Sequence, residues 1–252
     1  VATETRREWY AARGSRVTDP DRDVVLYPDV YTDYFDPDRG KAAVRTLEAL
    51  GVRVHVPPVA ESGRAPLSQG MVDTARSAAE SAYGTLVTHI DRGRDVVVVE
   101  PSDLAMFRTD YAKLLPEPAA ERMAENSYGV LEYVYGLLEN GADAHLLNGP
   151  VGDEPLSYHS HCQQRTLGLE ASTVAVLETL GYDVETSSVE CCGMAGSFGY
   201  KTEYYGVSMD VGEQLRADLG DRPGRVVASG TSCQEQLGVL YDRDVPHPVE
   251  II

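Results

Sequence analysis

Leu177-Glu178-Thr179-Leu180-Gly181-Tyr182-Asp183-Val184 reads as the end of a helix, a glycine stop and the start of a strand. Gly181 suits the positive φ at a helix C-terminus. The pattern also stands 130 positions earlier, as Leu47-Glu48-Ala49-Leu50-Gly51-Val52-Arg53-Val54. The same offset, without gaps, sets Val59 and Gly63 against Val189 and Gly193, Val96-Val97 against Val226-Val227, and Ser102-Asp103 against Ser232-Cys233. A match sustained at one offset marks a repeated unit.

Working outward from it, strands are predicted at 23–27, 52–56, 95–99, 155–159, 182–186 and 224–228. The 95–99 run is continuously apolar, as a strand buried on both faces requires. Helices are predicted at 38–50, 70–91, 103–115, 119–140, 163–180, 204–218 and 234–240, from helical spacing of apolar residues and from Gly and Pro breaks. Residues 1–22 read as a polar helix or arm, 28–35 as a loop, and 249–252 as an edge strand. Strand–helix alternation predicts the α/β class: two tandem, similar Rossmann-like repeats with parallel sheets and flanking helices, occupying 1–150 and 151–252.

The charge balance is −18, with 40 acidic residues against 22 basic ones. Only Lys41, Lys113 and Lys201 are lysines. Such a surface disfavours binding to nucleic acid phosphates. It suggests adaptation to high salt, a halophilic trait, where self-repulsion is screened; an acidic protein of an Arg-rich genome gives the same composition. No apolar run approaches the roughly 18 to 20 residues of a membrane-spanning helix, and no signal peptide is legible. The chain opens Val1-Ala2-Thr3-Glu4 without an initiator Met, and reads as a piece of a longer protein.

The four cysteines, Cys162, Cys191, Cys192 and Cys233, all lie in the last 91 residues. With no export signal, thiols are expected reduced in the cytoplasm, where four thiolates suit an iron–sulfur cluster or zinc. The spacing, 28 residues from Cys162 to Cys191-Cys192 and 40 more to Cys233, is neither that of a zinc ribbon nor of a ferredoxin. Instead, the cysteines follow three predicted strands, whose ends gather on one edge of a parallel sheet. Gly193, Gly196 and Gly199 let the backbone wrap closely there. That glycine run is not a dinucleotide fingerprint, lacking GxGxxG between strand and helix. His159 and His161 flank Cys162 and are candidates for hydrogen bonding around the site, as is Ser232; Arg165 is a candidate to balance its charge, and His247 reads as structural. In the first repeat Glu61 and Ser62 stand where Cys191 and Cys192 stand, Asp103 where Cys233 stands and, with a one-residue shift, Tyr31 where Cys162 stands. Glu61, Asp103 and His55 there read as a solvated remnant. A thiol–disulfide role for Cys191/Cys192 is a further alternative.

Several segments resemble the cysteine-rich "CCG" domain of heterodisulfide reductase, of the anaerobic glycerol-3-phosphate dehydrogenase C subunit, and of FAD-linked lactate and glycolate oxidases. They are Glu190-Cys191-Cys192-Gly193-Met194-Ala195-Gly196-Ser197-Phe198-Gly199-Tyr200, Tyr205-Gly206-Val207-Ser208-Met209, Ser229-Gly230-Thr231-Ser232-Cys233 and His247-Pro248-Val249-Glu250-Ile251. The first half is similar to the first repeat of the FAD-linked branch at 29–35, 63–70 and 101–107. The resemblance implies a degenerate, cysteine-free first repeat and a second repeat whose Cys162, Cys191, Cys192 and Cys233 bind the cluster. It also implies an electron-transfer module of a larger 2-hydroxy-acid dehydrogenase, with FAD and the flavin domain elsewhere in the parent protein or complex. The acceptor would be a quinone or a thiol/disulfide, and the location cytoplasmic or peripheral at the inner face of the membrane. The family motif ends in a further cysteine where this chain has Gln236, so an ordinary 4Fe-4S cluster is expected. The alternatives are a zinc-bound structural or subunit-interaction module, or a subunit of a glycerol-3-phosphate dehydrogenase or heterodisulfide-reductase-like complex.

Overall fold

Val24, Val25 and Leu26 are fully buried, as are Val96, Val97 and Val98. Apolar side chains on both faces of a strand demand cover on both faces, which a parallel sheet with crossover helices supplies. The computed structural model describes residues 2–150, 153–220 and 224–252. The chain divides into two compact units, Val1–Leu146 and Leu147–Ile252. The expected boundary at 150/151 adjoins residues 151–152, which lie outside the described residues.

The first unit runs α1 (Arg6–Arg13), β1 (Arg22–Leu26), α2 (Pro37–Ala49), β2 (Val52–His55), α3 (Arg64–Ser68), α4 (Val72–Ile90), β3 (Asp95–Val98), α5 (Pro101–Ala105), α6 (Tyr111–Leu114), α7 (Glu117–Glu125), β4 (Ser127–Gly129) and α8 (Val130–Glu139). Its parallel sheet has the order β2-β1-β3-β4. The second unit runs β5 (Glu154–His159), α9 (Cys162–Thr166), α10 (Glu170–Thr179), β6 (Tyr182–Thr186), α11 (Tyr205–Leu219), β7 (Arg225–Ala228) and α12 (Thr231–Tyr241). Its parallel sheet has the order β6-β5-β7. The α/β expectation therefore holds, and the two units share one strand order over their first three strands.

Register refines the equivalence. Val24 pairs with Val54 and Asp95, and Leu156 with Val184 and Arg225. The second and third strands keep the 130-residue offset, whereas the first strand is offset by 132. Counted from the strands, Cys162 is equivalent to Val30 rather than Tyr31, and His161 to Asp29. The local chemistry agrees: Asp29 Oδ1 accepts from the Tyr31 N–H at 3.1 Å, and His161 Nδ1 from the Gln163 N–H at 3.1 Å.

Other details differ from expectation. Residues 31–35 form a π-helical turn, not a loop. The helix expected at 119–140 is interrupted by β4, which extends the sheet beside β3. The helix expected at 163–180 breaks at Gly168, whose φ is +73°, so α9 is a separate short helix. Helix α12 begins three residues early, placing Cys233 in its first turn. The C-terminal segment is a 3-10 turn (Pro248–Glu250), not an edge strand, with Ile251 and Ile252 buried.

Gly63 and Gly193 serve the same purpose in the two units. Their φ values are +88° and +95°. A Cβ on Gly63 would lie 2.6 Å from the Ala75 carbonyl oxygen, and one on Gly193 closer still to that of Ser208. Gly168 also has positive φ, but with open space around it. Gly168→Ala is expected to cost about 1 kcal/mol from backbone conformation alone, and Gly193→Ala roughly 2 kcal/mol more from the added collision. Urea unfolding midpoints of the two variants test the difference.

Candidate metal centre

The site is built at the C-terminal ends of β5, β6 and β7. Strand alternation sends Tyr158 and His159 to opposite faces of β5. The Tyr158 hydroxyl contacts Gln164 Oε1 and Ser229 Oγ, each at 3.1 Å. His159 Nδ1 meets Ser187 Oγ at 2.7 Å, and Arg165 Nη2 donates to the Ser187 carbonyl at 2.6 Å. Arg165 thus ties α9 to the loop after β6, and its Nε pairs with Glu170 at 2.9 Å. His159 has no exposure, and its Nε2 has no hydrogen-bond partner among the described residues. Burial first, then the charges of Arg165 and His161, push its pKa down to about 3. The imidazole is neutral at physiological pH.

His161 caps α9 and joins two loops. Its Nδ1 accepts the Gln163 N–H, so the neutral ring carries its proton on Nε2. Nε2 lies 3.4 Å from Ser232 Oγ, and the His161 N–H donates to Ser229 Oγ at 3.1 Å. The ring lies against Gly230, where an added Cβ would come within 2.5 Å of it. Cys162 Sγ lies 4.0 Å from His161 Nδ1.

Among the described residues the four cysteines form no disulfide, and they divide into two kinds. Cys192 and Cys233 are buried, hydrogen-bonded to each other and packed with Met194, Leu215 and Leu237. Cys162 and Cys191 are exposed, with Cys191 Sγ accepting from the Gly193 N–H at 3.4 Å. The Cys192 thiol is lowered from 9.0 to about 7. The Cys233 contact is the largest cause, burial opposes it, and the Met194 N–H and Ser232 add to it.

The structure therefore brings together Cys192, Cys233 and Ser232, with His161 linking this group to the Cys162 turn. Among the described residues, no three His, Cys, Asp or Glu side chains stand close enough to hold a metal ion. The donor chemistry nevertheless fits a thiolate-bound metal or cluster: two sulfurs are already side by side, and two more are carried by neighbouring segments. Gln236 is a residue whose role the sequence did not disclose. Its buried Nε2 donates to the Ser208 carbonyl at 2.8 Å, a partner 28 positions away that no local pattern signals. His247 caps the C-terminal turn through the Val249 N–H at 3.0 Å.

The equivalent place in the first unit is occupied by oxygen. Ser62 Oγ donates to Asp103 Oδ1, and the Arg64 N–H donates to Ser62 Oγ at 3.1 Å. These residues match Cys192, Cys233 and Met194 at the 130-residue offset. Asp103 is buried, not solvated; burial and then Asp29 hold its carboxyl well above the usual range. His55 is elsewhere, with Nε2 at 2.6 Å from Asp23.

Comparison with known proteins finds similarity over most of the chain. Residues 156–238 match the family model described as "Cysteine-rich domain" (CCG), a stretch that lies within the second unit. Over 92% of its length the chain is 27% identical to D-2-hydroxyglutarate dehydrogenase of Pseudomonas putida, but covers 22% of that protein. It is 21% identical, over 98% of its length, to the anaerobic glycerol-3-phosphate dehydrogenase C subunit of Escherichia coli, of which it covers 63%. Lactate utilization protein A of Bacillus pumilus is 24% identical over 91% of the chain and is itself 95% covered. The chain is thus similar to modules of oxidoreductase-related proteins, and spans only about a fifth of the D-2-hydroxyglutarate dehydrogenases it matches.

His159 also makes the second unit sensitive to acid. Its folded pKa of about 3 lies below the ordinary 6.5, so the unfolded chain takes up the proton first as pH falls. Its contribution to stability is complete above pH 6.5 and is lost progressively towards pH 3. Urea midpoints at pH 7 and pH 5 should fall further for the wild type than for His159→Gln.

Proposed function

We propose that the chain is the iron–sulfur electron-transfer module of a larger FAD-dependent 2-hydroxy-acid dehydrogenase, with the cluster held by Cys162, Cys191, Cys192 and Cys233. The observation that carries this reading is the contact between Cys192 and Cys233, supplied by the loop after β6 and the first turn of α12. Two thiols separated by 40 residues of sequence, side by side at the end of a parallel sheet, form half of a four-sulfur shell. The similarity to D-2-hydroxyglutarate dehydrogenase and to lactate utilization protein A supports the hydroxy-acid class.

An iron–sulfur cluster, when bound, accepts and passes on single electrons. The chain's own contribution is to hold and shield it. Ser232 and the Met194 N–H favour the Cys192 thiolate, and Met194, Leu215 and Leu237 keep water from one side. The electron donor in this reading is a flavin domain of the parent protein or complex, and the acceptor a quinone or a thiol/disulfide. No helix among the described residues is long and apolar enough to cross a membrane; the proposed location is cytoplasmic or peripheral at its inner face. The first unit, in this reading, is a degenerate repeat in which Ser62 and Asp103 stand in for sulfur.

Anaerobic reconstitution with iron and sulfide tests the proposal. About four irons per chain, as a cysteine-ligated 4Fe-4S cluster requires, and an EPR signal on reduction are expected. Cys192→Ser and Cys233→Ser should each abolish that signal. Stoichiometric zinc with no iron uptake would instead identify a structural metal module.

A further inference from the structure

The Ser208 carbonyl on α11 is a common anchor for the segments that carry the two buried thiols. Gly193, next to Cys192, packs on it so closely that a Cβ would lie inside 3.0 Å. Gln236, three residues after Cys233 on the same helix, donates its side-chain amide to it at 2.8 Å. Gly212, one turn further along α11, lets that amide approach, since a Cβ there would also collide with Gln236. The loop after β6 and the start of α12 are thereby fastened to one point, and the sulfurs they carry meet. Cys162 and Cys191, by contrast, are both exposed.

We propose that Cys192 and Cys233 are a preassembled redox pair: in the metal-free chain they close into a reversible intramolecular disulfide, which withholds two thiols from metal. The closeness of the sulfurs carries the pairing by itself; only the consequence for metal loading rests on the thiolate-site reading above. With hydrogen peroxide as oxidant, one thiolate attacks a peroxide oxygen, giving a sulfenic acid and water. The second thiol then displaces the sulfenic oxygen as a second water and forms the S–S bond. Two thiols lose two electrons and two protons, and one peroxide becomes two waters. A small-molecule dithiol reverses the step by exchange. Pre-positioning the second sulfur favours closure over further oxidation, because the reaction becomes intramolecular.

The test uses the metal-free 252-residue chain and its Cys162→Ser/Cys191→Ser variant, which keeps the buried pair and alters only exposed positions. After peroxide treatment and alkylation, the variant should lose both thiols, form no disulfide between chains, and give a Cys192–Cys233 cross-linked peptide by mass spectrometry. Dithiothreitol should restore both thiols. The oxidised wild-type chain should take up several-fold less zinc than the reduced one. Gln236→Leu, which removes the amide that anchors α12, should slow closure several-fold with an unchanged far-UV CD spectrum. Both thiols staying open to alkylation, passing to sulfinic acid, or pairing only between chains would overturn the proposal. Equal closure rates would overturn the role of Gln236. A reduced chain that closes the disulfide but binds neither zinc nor iron would remove the metal reading and leave the pairing intact.

Discussion

The close packing of Gly193 on the Ser208 carbonyl is the constraint on which the second unit's site depends. A main-chain oxygen can be approached this closely only where no Cβ stands in the way, and here the glycine also needs φ of +95°. With the turn pressed onto α11, Cys192 faces the interior and Cys191 is left outside. The same oxygen accepts the Gln236 amide, so α12 is oriented by the contact that orients the turn. Gly193 packs on that oxygen without hydrogen-bonding to it, its N–H going to Cys191 Sγ, so it does not compete with the Gln236 amide for the carbonyl's lone pairs.

The first unit repeats the backbone and changes the chemistry. Gly63 presses on the Ala75 carbonyl as Gly193 does on that of Ser208. Ser62 and Asp103 then meet as Cys192 and Cys233 do, and the Arg64 N–H reaches Ser62 as the Met194 N–H reaches Cys192. An ionised carboxylate is costly to bury, and Asp29 nearby adds repulsion. The Ser62 hydrogen bond partly offsets this, and the Tyr111 hydroxyl donates to the Ser62 carbonyl at 3.1 Å. The strand-end pocket that holds soft sulfur in one unit is filled in the other by a closed hydrogen-bonded group, a harder and less polarisable one.

Much of the fold was legible because its signals are local or periodic. Gly51 and Gly181 mark helix ends by their backbone freedom, and the apolar runs at β1 and β3 mark buried parallel strands. What escaped had weak local signals. β4 has three residues and lies between two amphipathic helices, so only its pairing with β3 makes it a strand. The first-strand register slipped because the loop carrying Tyr31 has no repeated pattern to count by, and hydrogen bonding put Val30, not Tyr31, opposite Cys162. The break between α9 and α10 rests on Gly168, a residue also tolerated within helices. The terminal Val249–Ile252 run is apolar because Ile251 and Ile252 are buried, not because a strand pairs there.

By itself the sequence determined the class of the fold, its internal repetition and the four sulfur atoms available to the second unit, since these follow from composition, periodicity and spacing along the chain. Which sulfurs meet was decided only by tertiary structure. Cys191 and Cys192 are neighbours in the chain, yet they diverge, because successive residues of a turn cannot both face one interior. Cys192 and Cys233 are far apart in the chain and follow strands that β5 separates, yet they touch, because the packing of Gly193 and Gln236 on Ser208 draws the two flanking segments together. Hydrogen-bond partners across such distances leave no trace in local pattern, and that is why the roles of Gln236 and Ser208 became visible only in three dimensions.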